Sequence, residues 1–159
     1  MTHDLTIERR LPASPEIVYG AFLDMYGERR PDWILSSKLD LRVGGRWTVV
    51  FRPPGLPEFG EDRVLSAVEP GRRLAYTMTT VHDGQPGFST EVELRFDPAQ
   101  GDPDRFDPAQ GDPDRFDPAQ AGTALTLTQR GFPDTAARDD FAGGWSGVWD
   151  FMAQEVAAR

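Results

Sequence analysis

This 159-residue sequence has 26 Asp and Glu, but histidine and cysteine, the side chains most often used as general base and thiolate nucleophile, are scarce or absent. There are two histidines, His3 near the start and His82 in an HDG turn, and neither position suits a general base. Cysteine is absent, which removes a thiolate nucleophile, a disulfide framework and a Cys-based zinc site. The patterns GxSxG, HExxH, GxGxxG and the P-loop do not occur. Tyr19, Tyr76, Glu58, Glu61, Asp62 and Arg63 are left as groups that could steer proton transfer, and the charge run on a strand is expected to be a solvated face. No catalytic residue, no cofactor and no metal site is therefore assigned.

The carboxylates cluster elsewhere. From Arg95 to Gly122 the decapeptide RFDPAQGDPD is written twice and begun a third time, so Asp102, Asp104 and Asp107 recur as Asp112, Asp114 and Asp117. Calcium would suit such spacing, but Pro103 and Pro113 interrupt it and no Gly-centred loop closes on Glu. Each unit has one aromatic, two Pro and three Asp, too little apolar surface to offset ordering entropy. We expect residues 97–121 to be a mobile insertion between two strands, produced by copy-number slippage, within one domain spanning 1–159.

Binding chemistry is better represented. Inward-reading polar residues are costly unless partnered, and Arg9, Thr90 and Gln129 are such positions. Around a cavity they could orient a carbonyl or hydroxyl of an apolar ligand. The aromatic and apolar candidates for its wall are Trp33, Phe51, Tyr76, Met78, Phe141, Trp145 and Trp149, although aromatics at such spacing also serve as plain core. Gly143, Gly144 and Gly147 interrupt the same helical stretch, which calls for a packing or cavity reason.

Those residues need elements to hold them. Leu5, Ile7 and Leu11 alternate in a first strand that Pro12 ends. Ser14 is an N-cap, Pro15 opens a helix, and Ile17, Val18, Ala21, Phe22 and Met25 give it an apolar face. A short second helix or irregular turn covers Tyr26 to Ile34, and Leu39 and Leu41 begin a strand that Gly44-Gly45 turns into the next. Strands follow at 46–51, 62–68, 72–81, 88–96 and 123–132, and an amphipathic helix with Phe141, Trp145, Val148, Trp149, Met152 and Val156 on one stripe closes the chain. The prediction is α+β: an antiparallel sheet of six to seven strands covered by the long C-terminal helix.

Charge and hydropathy narrow the partners. The net charge of −9, with no long Lys/Arg cluster, argues against nucleic acid. No run approaches the roughly 18 apolar residues of a membrane span and no leader pattern is legible, so a cytoplasmic protein without membrane insertion is expected. Exposed strand edges leave a homodimer open.

The segments GTALTLTQRGFPD and RDDFAGGW, with DLRVGGRW at 40–47 and VEPGRRLAYT at 68–77, resemble the START-like (SRPBCC) superfamily, in the branch of the activator of the heat-shock-protein-90 ATPase. The resemblance implies a helix-grip fold, a curved sheet wrapped on the C-terminal helix, with two short helices after the first strand. It also implies a cavity between sheet and helix that takes a small hydrophobic molecule, with Trp33 near its mouth. Two other roles follow from the same resemblance: a chaperone regulator acting through protein contacts, and a polyketide cyclase/dehydratase-like enzyme.

Overall fold

A computed structural model describes residues 3–99 and 122–157. Seven strands form one antiparallel sheet: β1 (His3–Leu11), β2 (Ile34–Leu39), β3 (Arg46–Phe51), β4 (Phe59–Glu69), β5 (Arg73–His82), β6 (Gln85–Pro98) and β7 (Thr123–Phe132). Their spatial order is β1-β7-β6-β5-β4-β3-β2, so every neighbour except the β1/β7 pair is consecutive in sequence. Among the described residues two helices accompany the sheet, α1 (Pro15–Asp24) and α2 (Thr135–Ala157). This is the α+β architecture, a sheet with a long C-terminal helix, that the alternation and the terminal stripe predicted, and it has the helix-grip arrangement that the resemblance implied.

Local chemistry sets the helix boundaries. The Ser14 side chain accepts from the Ile17 amide, and Pro15 occupies the first turn, where its missing N–H costs nothing. Asp134 does the same for α2, its Oδ1 accepting from the Ala137 amide at 2.8 Å. The 23 residues of α2 span about 34 Å, long enough to lie along β1 and β7 and reach α1.

Three expectations need correction. The second short helix does not form: Met25 still bonds back to Ala21, but Tyr26, Gly27 and Arg29 make turn-type bonds to Leu23 and Asp24. Gly27 weakens helix there, and Pro31 disfavours it for Arg30. The strand expected to begin at Leu39 instead ends there, because β2 pairs Ile34 to Leu39 with β3, and Leu41 lies exposed in the following turn. That turn depends on Gly45, where a Cβ would collide with the Asp40 carbonyl oxygen. Finally, Asp97 and Pro98 belong to β6, paired with Ala124 and Thr123, and the Ala99 amide bonds to the Gly122 carbonyl. The remaining repeat, including the candidate calcium ligands, lies outside the described residues.

Register shifts interrupt the β2/β3, β4/β5 and β5/β6 ladders. Such irregularities bend strands and turn one sheet face around a helix. The covered face and both helices share one core that includes Phe22, Trp47, Tyr76, Leu94, Leu127, Trp149 and Met152.

The three glycines of α2 do not contribute to that core. Gly143, Gly144 and Gly147 lie on its exposed side, and a Cβ at any of them meets no atom within 4 Å. Neither close packing nor a cavity accounts for them. Because Gly is about 1 kcal/mol less favourable than Ala inside a helix, Gly143→Ala, Gly144→Ala and Gly147→Ala together are expected to stabilise the fold by about 2–3 kcal/mol. Chemical denaturation of the triple variant checks this, and an unchanged or lower midpoint would refute the placement.

Candidate functional site

The inner face of the sheet carries a buried polar relay that ends on α2. Met78 of β5 stands opposite Thr90 of β6, and the Thr90 hydroxyl accepts from Gln129 Nε2 of β7 at 2.9 Å. Gln129 Oε1 in turn accepts from the Trp145 indole at 2.8 Å. Thr90, Gln129 and Trp145 are all buried, so each partner meets a need that water cannot. Trp145 stacks on Trp149 with ring centres 5.2 Å apart.

The other expected residues lie outside this relay. Tyr76 and Phe51 are buried on β5 and β3, and Trp33 is half-buried, stacked on Phe51 and edge-on to Phe151 of α2. Phe141 sits with Phe88 and Phe132 in a separate aromatic triangle at the start of α2. The structure thus brings Met78, Thr90, Gln129, Trp145 and Trp149 into one connected series. It places Phe51 and Trp33 in a second group, and it sets Phe141 apart. Arg9 shares the face of Leu5 and Ile7, but its guanidinium reaches the rim and pairs with Asp150 of α2 at 2.8 Å.

The largest departure from the sequence reading is at β4. Glu61 and Arg63 were expected to face solvent; both point inward, Arg63 being 2% exposed. Arg63 Nε and Nη2 both donate to Glu61 Oε1, at 2.9 and 2.8 Å. The guanidinium carbon lies 4.2 Å from the Trp47 ring centre, 4.7 Å from Tyr76, 5.1 Å from Tyr26 and 5.9 Å from Phe51. A buried cation in a ring of aromatic faces is held by their quadrupoles as well as by its counter-ion. Burial by itself disfavours the charge, but the Glu61 carboxylate and the Tyr76 and Tyr26 phenols outweigh it and raise the Arg63 pKa further. Burial holds the Tyr76 phenol well above its ordinary range against the opposing pull of Arg63.

The signal for this pair was present but masked. Glu61 and Arg63 have the same parity as Leu65 and Ala67, whose side chains are buried, and opposite charges two residues apart on one strand face can neutralise each other. Val64, apolar on the outer face, blurs that alternation.

Four buried side-chain atoms in the described residues have no hydrogen-bond partner: the Tyr19 and Tyr76 hydroxyls, Arg63 Nη1 and Trp149 Nε1. They come from α1, β5, β4 and α2, and Tyr19, Tyr76 and Trp149 share the one core. The Tyr26 hydroxyl helps to stabilise the guanidinium charge, yet no aligned bond reaches Nη1. Two concavities open at the surface of the described residues. One, of about 540 Å³, is lined by residues such as Lys38, Arg42, Gly45 and Arg46; the other, of about 280 Å³, is lined by Glu69, Arg72, Arg73, Arg95 and Asp97. No described helix is long and apolar enough to cross a membrane, and the described residues hold no cluster of three or more potential metal ligands.

Comparison with known proteins places the architecture. The fold is similar to that of an AHSA1 protein from Silicibacter pomeroyi, with a TM-score of 0.71 at 18% identity over 98% of this chain and 99% of that one. It is similar also to protein CV1439 from Chromobacterium violaceum, at 0.69 and 22% identity over 96% of both chains. Ara h 8.0201 matches at 0.70 and 11% identity over 100% of both chains. At these identities the likeness is one of fold. No curated protein matches the sequence. The family described as "Activator of Hsp90 ATPase homolog 1-like protein" matches residues 12–104, more than half of the chain. Together with the helix-grip fold, that match makes the chain a member of the AHSA1 family within the START-like (SRPBCC) superfamily.

Proposed function

We propose that this START-like domain binds a small hydrophobic molecule between the sheet and α2. The observation that carries the reading is the set of orphaned donors, Tyr76 Oη, Arg63 Nη1, Trp149 Nε1 and Tyr19 Oη, buried in the interior while the neighbouring Thr90, Gln129 and Trp145 are partnered. Each unpartnered buried polar group costs about 1–3 kcal/mol, and a ligand oxygen is the kind of group that would relieve it. Met25, Met78 and Met152 are buried in the same core, and methionine repacks more readily than branched side chains. A ligand therefore enters by displacing flexible side chains or shifting α2 from the sheet.

Catalysis of the cyclase type is less well supported. Tyr76 is held protonated and suits a hydrogen-bond donor, whereas Glu61, the one buried carboxylate among the described residues, is engaged by Arg63. His82 is exposed, stacked on Phe59.

The test is native mass spectrometry of freshly purified protein, then titration of Trp fluorescence with lipophilic and polyketide-like compounds. A co-purifying mass or saturable quenching is expected, weakened in Trp149→Phe, which removes a donor but keeps a ring. Silence across the panel would sink the reading. It would shift weight to protein contacts of the kind the family description names, for which Leu41, Val43 and Val64 offer exposed apolar surface.

A further inference from the structure

The Arg63 box deepens the binding reading and rests on it. Arg63 and Tyr76 are diagonal neighbours on one face: Arg63 stands opposite Met78 and Tyr76 opposite Leu65 across the β4/β5 ladder. The guanidinium carbon is 4.7 Å from the Tyr76 ring centre. Nε and Nη2 are spent on Glu61, leaving Nη1 and the Tyr76 hydroxyl as the unpartnered polar atoms of the box. Both residues are at least 98% buried.

We propose that Arg63 Nη1 and the Tyr76 hydroxyl are the polar end of the ligand site, selecting a neutral, planar aromatic compound that carries a carbonyl oxygen. Three observations set the class. Nη1 can only donate, so the ligand atom must accept. The Arg63 charge is already balanced by Glu61, so a carboxylate ligand would bring an uncompensated charge into a water-poor interior, whereas a carbonyl would not. The walls are the rings of Tyr26, Trp47, Phe51 and Tyr76, which favour a flat partner. Met78, directly opposite Arg63, is the flexible side chain whose displacement makes room beside the guanidinium.

Three probes of one size separate the possibilities by isothermal titration of the intact protein: 2-acetylnaphthalene, 2-ethylnaphthalene and 2-naphthoate. The ketone is expected to bind at least about tenfold more tightly than the ethyl compound, because a site built to hydrogen-bond an oxygen discriminates against the analogue that lacks it. That preference should shrink to within about twofold in Tyr76→Phe and in the double variant Glu61→Leu/Arg63→Met, both of which keep a filled apolar core and should unfold cooperatively. Equal binding of ketone and ethyl compound would overturn the subsite and leave the binding reading standing. Tightest binding by 2-naphthoate would overturn the neutral class, and a preference that survives both variants would overturn the residue assignment. Heat from none of the three, together with a silent fluorescence panel, would overturn both proposals.

Discussion

Replacing Arg63 by Ala is expected to destabilise the fold by about 3–5 kcal/mol, because it strands the Glu61 carboxylate, 7% exposed, with neither counter-ion nor water. Against a typical total of about 5–15 kcal/mol that is a large fraction. The loss includes the contacts of the guanidinium with Trp47 and Tyr76, at 4.2 and 4.7 Å, and a cavity where its stem was. The informative comparison is Glu61→Leu with Arg63→Met. Removing both charges and filling the volume eliminates two desolvation costs along with one ion pair, and such exchanges are commonly neutral or stabilising. The double variant should therefore recover to within about 1.5 kcal/mol of the parent. Urea unfolding followed by Trp fluorescence measures all three proteins. A cost below about 1 kcal/mol for Arg63→Ala would mean that water reaches the box, contrary to its burial.

That experiment also separates stability from function. If the pair exists to hold a ligand, the double variant gains or keeps stability and loses selectivity. If it exists only to hold the sheet, both properties move together. Natural proteins often retain a buried polar group that an apolar residue would improve on, and a binding role is one reason for doing so.

The fold was legible because its signals are local and repeated. Leu125 and Leu127 alternate with Thr126 and Thr128, and β7 buries one set while leaving the other half-exposed. Trp145, Val148, Trp149, Met152 and Val156 recur at helical spacing, and these are the buried residues of α2. Ser14-Pro15 and Asp134 mark helix starts by side-chain chemistry that acts within three residues. The partnering of Gln129 with Thr90 and Trp145 was not legible, because it depends on the β5-β6-β7 register and on the placement of α2, which no local pattern encodes. Glu61 and Arg63 were misjudged for a different reason. Hydrophobicity assigns each a solvent preference on its own, whereas on one strand face they are a neutralised pair. The helix glycines misled in the opposite direction: a costly residue suggested a structural demand, and the structure shows open space.

The chain's alkaline behaviour should report the same core without any ligand. Its three tyrosines, Tyr19, Tyr26 and Tyr76, all have phenols that burial raises above their ordinary pKa. For Tyr26 the Arg63 charge pulls down and Glu61 adds to the rise; for Tyr76 Arg63 again pulls down while Tyr26 and Glu61 push up. A raised phenol pKa means that the folded state prefers the proton. This contribution is fully present below about pH 10, where the unfolded phenols are also protonated, and is lost as pH rises beyond it. Each phenol still protonated in the fold then costs stability with every further rise in pH, and the costs of Tyr26 and Tyr76 act in the same direction. Cysteine is absent, so no thiolate adds to the phenolate absorbance in this window. Phenolate absorbance should therefore stay nearly flat above pH 10 and then rise in one step that coincides with loss of the native Trp signal. Tyr76→Phe should move that step to higher pH, since it removes the phenol with the strongest demand for its proton. Three phenols that titrate smoothly near pH 10 in a protein still folded would show instead that water reaches this interior, and both the Arg63 box and the ligand site built on it would fail together.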